Sequence, residues 1–95
     1  MEIKREVHGK RGAFFVEEGG KRVAEQTFSM GPDGKVFIID HTEVDESLRG
    51  QGMARKLTEQ AVKWARETGV KIVPVCPFAK AVFDREPSFR DVLAT

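Results

Sequence analysis

Val44-Asp45-Glu46-Ser47-Leu48-Arg49-Gly50-Gln51-Gly52-Met53-Ala54 joins two halves of the chain that follow different periods. On its N-terminal side apolar and polar residues alternate. Within Lys21 to Met30, Ala24, Gln26, Phe28 and Met30 share one face, and Val23, Glu25, Thr27 and Ser29 share the other. On its C-terminal side Ala54, Leu57, Ala61, Trp64 and Ala65 recur at three- and four-residue steps, the stripe of an amphipathic helix. The segment is therefore read as a strand-to-helix junction.

Working outward, glycine punctuates the first half. Gly9 to Gly12, Gly19-Gly20 and Gly31-Pro32-Asp33-Gly34 are turn signals. They predict four strands, Ile3 to Val7, Ala13 to Glu17, Lys21 to Met30 and Lys35 to Val44, joined as a meander. Val36-Phe37-Ile38-Ile39 is apolar at every position, which predicts a central strand covered on both faces. After the junction the long helix closes at Gly69, and Glu59 with Lys63 forms a favourable pair on its surface. Lys71 to Val75 reads as a fifth, buried strand. A strand, helix, strand crossover of this length makes the fourth and fifth strands parallel, with a right-handed connection. Pro77 opens a short helix carrying Phe78, Ala81, Val82 and Phe83, and Pro87 ends it. Ser88 with Asp91 resembles a capping signal for a last turn, Phe89 to Leu93. The predicted class is α/β: a mostly antiparallel five-stranded sheet with one parallel pair, one long helix and short C-terminal helices.

Composition narrows the function classes. A chain of 95 residues supports one small domain, spanning 1–95, without a separate regulatory module. Lys and Arg number 16 against 15 Asp and Glu, a net charge of +1 that makes non-specific attraction to nucleic acid or membrane weak. No nucleic-acid or membrane partner is expected. The single cysteine cannot close an intramolecular disulfide, and no repeated Cys/His set predicts a metal site. Met1 to Lys10 lacks the continuous apolar run of a signal peptide or membrane span, so a cytoplasmic location is expected. The edge of the first strand leaves both a monomer and a homodimer open.

The junction also carries the first chemistry. Small residues at 50, 52 and 54 let a ligand approach the backbone closely, and the first helical turn presents free N–H groups at the positive end of the helix dipole. That combination suits a diphosphate, to which Arg49 adds a guanidinium with paired donors. An ordinary glycine turn before a helix would use the same residues. Two other phosphate loops are excluded by spacing: no Lys-Ser or Lys-Thr follows the glycines as in a P-loop, and the third glycine and parallel setting of a dinucleotide fold are missing.

Arg49-Gly50-Gln51-Gly52-Met53-Ala54 matches the Arg/Gln-x-x-Gly-x-Gly/Ala signature of the GNAT superfamily of N-acetyltransferases. With His41-Thr42-Glu43-Val44 and Val73-Pro74-Val75-Cys76-Pro77-Phe78-Ala79, the chain resembles the short, single-domain YjdJ-like subgroup of that superfamily. The resemblance covers most of the chain from about residue 36 onward. It implies a minimal acyl-CoA N-acyltransferase fold with acetyl-CoA as cosubstrate, lying between the splayed ends of the fourth and fifth strands. The pyrophosphate of coenzyme A would meet the backbone N–H groups of Gln51 to Ala54, and the pantetheine would run beside Glu43 and Val44 like an added strand. The sequence departs from the full-length pattern in lacking the helical pair between the first two strands, the region that usually takes part in acceptor recognition.

Further candidates follow from position. Cys76 stands at a strand end just ahead of Pro77 and a helix N-terminus, a setting that favours a reactive thiol, although a free cysteine is also a small buried hydrophobe. In the resembled subgroup a cysteine here lies near the acetyl group, either accepting it or lining the pocket. His41 and Glu43, two apart on a strand, are expected to project from one face together with Phe37 and Ile39; a histidine there can act as base and a carboxylate can orient it. Lys80, one helical turn beyond Cys76, faces either the coenzyme phosphates or solvent, and Phe83 either covers the pantetheine arm or packs in the core. Arg55-Lys56 reads as a solvated face near the proposed pyrophosphate, Trp64 as core, and His8 as an exposed residue without a role. The implied function is acetyl-CoA-dependent transfer of an acetyl group to an amine, on a small molecule or a protein, with Cys76, His41 and Glu43 as catalytic candidates. The rival is a coenzyme A-binding sensor or interaction module without turnover.

Overall fold

The computed structural model describes residues 2–94. The turn signals fall where the chain reverses. They join β1 (Lys4–His8), β2 (Arg11–Glu18), β3 (Lys21–Met30) and β4 (Val36–Val44), and a 3-10 turn, Glu46–Leu48, leads into α1 (Met53–Thr68). Then come β5 (Lys71–Pro74), α2 (Pro77–Arg85) and a second 3-10 segment, Pro87–Val92. The sheet runs in the order β1-β2-β3-β4-β5, with antiparallel neighbours through β4 and a parallel β4–β5 pair. The α/β class, the five strands and the parallel pair match the sequence reading. The single-domain expectation was drawn for 1–95, and Met1 and Thr95 lie outside the described residues.

Both helices contribute to one hydrophobic cluster over one face of the sheet, with Phe37, Ile39 and Ile72 from the strands, Leu57, Ala61 and Ala65 from α1, and Ala79 and Phe83 from α2. Phe14, Phe28 and Phe37 form its aromatic centre and the half-buried Trp64 packs against them, with ring centroids 5.1–5.9 Å apart in edge and tilted packings. Gly12 lets Phe28 sit flat on β2: a Cβ there would stand 2.5 Å from the Phe28 ring and from the Glu6 carbonyl.

Five sequence expectations are corrected. β4 is central in the sheet but covered on one face only. Phe37 and Ile39 are fully buried while Val36 and Ile38 are half-buried, because the chain packs α2 beside α1 rather than across the sheet. Val23 does not stay on the Glu25 face. It is the extra residue of a β-bulge, Val16 pairing with Ala24 and Glu17 with Arg22, and it joins the core cluster. A second bulge makes Asp40 the extra residue, since Phe28 pairs with Ile39 and Thr27 with His41. Parity therefore flips after Ile39. Thr42 turns inward and is buried, while His41 and Glu43 face away from Phe37 and Ile39. Glu59 pairs with Arg55 at 3.1 Å rather than with Lys63. Asp91 does not cap the last segment with Ser88; it takes two hydrogen bonds from the Arg66 guanidinium, at 2.9 and 2.8 Å, while the Ser88 carbonyl accepts a third.

Candidate functional site

β5 stops pairing at Ile39, whose carbonyl accepts hydrogen bonds from both Val75 and Cys76 at 3.2 and 3.0 Å before the chain turns into α2. From Asp40 to Val44 one edge of β4 is consequently without a strand partner. The Asp45 N–H donates to Val23 at 2.7 Å, and antiparallel alternation then turns the N–H and carbonyl of Val44 away from β3, into this gap. A cleft of about 750 Å³ opens here, within the size range of ligand pockets. Its walls include Ala24, Thr42, Glu43, Val44 and Phe78, and its far end is Leu48, Arg49, Gly50, Gly52, Met53 and Ala54.

The glycine loop owes its shape to two left-handed residues, Gly50 at φ 82° and Gly52 at φ 69°. Gly52 is the N-cap of α1 and has no side chain to offer as a cap. The first helical bond runs from Lys56 N–H to the Gly52 carbonyl at 3.0 Å, so the amides of Met53, Ala54 and Arg55 precede any intrahelical acceptor. Those amides lie at the end of a 16-residue helix, whose dipole adds positive potential. Arg49 is exposed and makes no ion pair with a described carboxylate. Asp45 holds the 3-10 turn from below. Its carboxylate accepts from the Ser47 N–H at 2.9 Å and the Ser47 hydroxyl at 2.8 Å, and these bonds lower its pKa, with Lys21 and Arg49 adding to the effect.

The predicted cofactor-binding residues divide by location. Val44, Arg49, Gly50, Gly52, Met53 and Ala54 line the cleft. Gln51 does not: its side chain donates to the Ser47 carbonyl at 3.4 Å, and its N–H lies 3.4 Å from the Leu48 carbonyl. Lys80 is exposed and outside the lining. Phe83 is buried against Phe89, ring centroids 6.1 Å apart, as part of the core. Arg55 is drawn off toward Glu59 and Glu86, which ties α1 to the end of α2.

Among the catalytic candidates, Glu43 lines the cleft and His41 stands beside it, Nε2 3.1 Å from the carboxylate, with side chains 60% and 71% exposed for His41 and Glu43. They share a face as expected, but it is the open face of the sheet. Cys76 is the N-cap of α2, only 2% exposed and not part of the cleft wall. Its sulfur lies 3.3 Å from the Thr42 hydroxyl, and Thr42 does line the cleft. Sequence reading missed Thr42, Phe78 and Arg22. Phe78 was placed as an apolar helix position, yet it is 61% exposed at the cleft wall. Arg22 is carried by the Val23 bulge to the open face, where its guanidinium covers Phe15 and reaches Glu6 and Glu25. Burial works against its charge, but the hydrogen bonds to Glu25 and Glu6 outweigh that and raise its pKa.

The glycine loop and the first turn of α1 thus stand at one end of a cleft that runs beside the splayed β4–β5 pair. The chain belongs to the GCN5-related N-acetyltransferase family, whose model matches residues 13–92. Over 98% of its length it is similar to a GCN5-like candidate N-acetyltransferase from Staphylococcus aureus, at 35% identity, with a TM-score of 0.71 and 87% of that chain covered. It also shares its fold with a ribosomal-protein-alanine N-acetyltransferase from Brucella melitensis, at 22% identity and a TM-score of 0.63, covering 93% of this chain and 64% of that one. No helix among the described residues is long and apolar enough to cross a membrane.

Proposed function

We propose that the protein uses acetyl-CoA to acetylate an amine. The observation that carries this reading is the set of unpaired amides at Met53 and Ala54, with Arg49, at one end of a cleft whose side is the unpartnered edge of β4. These residues fit the cosubstrate in kind: amides and a guanidinium for a diphosphate, and the outward N–H and carbonyl of Val44 for an amide-bearing arm. When bound, acetyl-CoA would supply an activated thioester.

The chain's own task is placement and proton handling. Glu43 holds His41 at 3.1 Å on the open face, an arrangement suited to taking the proton of an incoming ammonium. Cys76 sits behind Thr42 on the helix side and is the candidate sulfur for a transient acetyl group. Its burial supports the rival reading as well, that of a coenzyme A sensor without turnover.

Mass spectrometry of the intact protein after incubation with acetyl-CoA and a panel of amines, with Cys76→Ala as control, tests these readings. A product amine together with an acetyl adduct that Cys76→Ala loses supports transfer through sulfur. A product with no adduct in either protein leaves direct transfer. Bound coenzyme without any product supports the sensor.

A further inference from the structure

The three buried polar side chains among the described residues, Gln26 on β3, Thr42 on β4 and Thr58 on α1, gather at one place and end on the sulfur of Cys76. The direction of their hydrogen bonds can be worked out from one end. The Thr58 hydroxyl lies 2.9 Å from the Ala54 carbonyl, which can only accept, so Thr58 donates there and its proton is spent. Gln26 approaches the same hydroxyl at 3.0 Å and must therefore offer its amide nitrogen. That nitrogen's second proton goes to the Thr42 hydroxyl oxygen at 3.3 Å. The opposite amide orientation would set two acceptors against each other at Thr58. The chain of bonds keeps its direction although it leaves the Gln26 carbonyl oxygen, in a fully buried residue, without a protein partner.

Thr42 accepts from Gln26 on one lone pair and keeps its own proton free; the 3.3 Å contact with the Cys76 sulfur can be filled by the thiol donating to the hydroxyl oxygen or by the hydroxyl donating to the sulfur. We infer that Thr42 is a positioning residue for Cys76, its hydroxyl donating to the sulfur and holding it as an acceptor. The relay starts at the carbonyl of Ala54, in the first turn of α1 at the cleft wall, and so links the glycine loop to the sulfur through Thr58, Gln26 and Thr42. A donor aimed at sulfur supports the negative charge through which any reaction at that atom passes. This inference rests on the reading that Cys76 takes part in acyl transfer.

The test needs no coenzyme, so its failure is separate from failure of the acetyl-transfer reading. The chain has one cysteine, and the Raman S–H stretch of the folded protein reports that group alone. The band is expected to be unmoved in Thr42→Val, because the S–H does not donate to Thr42; a shift to higher wavenumber would show that the thiol is the donor and overturn the inference. Reaction of Cys76 with a small methylthiolating reagent at fixed pH should slow roughly tenfold in Thr42→Val, about what one hydrogen bond to a charged group contributes, and recover in Thr42→Ser. A purely structural role predicts an equal or faster rate in Thr42→Val, because loosened packing exposes the sulfur. Should Thr42→Val fail to fold, Thr58→Val frees the Gln26 amide to turn and the Thr42 proton to leave sulfur. The band should then fall to lower wavenumber, and an unmoved band overturns the inference.

Discussion

Gly12 has no room for a side chain, since a Cβ would press on a backbone carbonyl and on the Phe28 ring at 2.5 Å. Gly12→Ala is expected to lower stability by about 1–3 kcal/mol, the usual range for overpacking, read as a fall in the urea midpoint at unchanged slope. Asp91 gives a pH-dependent prediction. Hydrogen bonds from Arg66 depress its pKa below the ordinary 3.8, so its contribution to stability is fully present above that value and is lost as pH falls through the depressed one. Asp91→Asn should therefore flatten the loss of stability on the acid side of pH 3.8, measured by urea unfolding from pH 6 down to pH 2. At this scale the sequence was legible where chemistry is local and opaque where it is relational. Arg49 and the glycines could be named because the loop's own backbone and charge carry their meaning. Thr42 could not, because its meaning depends on Gln26, Thr58 and Cys76, which lie 16 to 34 residues away from it.

At the level of elements, the alternation of β3 and the helical stripe of α1 were readable because each repeats over several turns or pleats. The bulges at Val23 and Asp40 were not. A bulge adds one residue without a composition signal, yet it reverses the side of every residue after it. That is why His41 and Glu43 kept their mutual geometry but changed faces. The loop before α1 is a matched case of backbone demand. Gly52→Ala must place an L side chain at φ 69°, a left-handed cost of about 1–2 kcal/mol. Space is not the obstacle, since nothing lies within 4 Å of that Cβ. The expected result is reduced thermal stability together with weaker acetyl-CoA binding, whereas Gly34→Ala, in the distant β3–β4 turn at φ 71°, should reduce stability alone.

For the whole molecule, one covered face carries nearly all the burial. Phe28→Ala is expected to cost about 3–5 kcal/mol, a large part of the roughly 5–15 kcal/mol that holds a domain together. Far-ultraviolet circular dichroism during urea unfolding checks it. The one-sided arrangement leaves the splay between β4 and β5 open at the end where the glycine loop begins, and both functional readings depend on that opening. The most direct measurement is isothermal titration of the intact protein with acetyl-CoA, alongside Arg49→Glu. The account predicts saturable heat with one site, and affinity at least about tenfold weaker in the variant, the equivalent of one charge-assisted hydrogen bond. Absence of heat with folded protein, or equal affinity in Arg49→Glu, would contradict it.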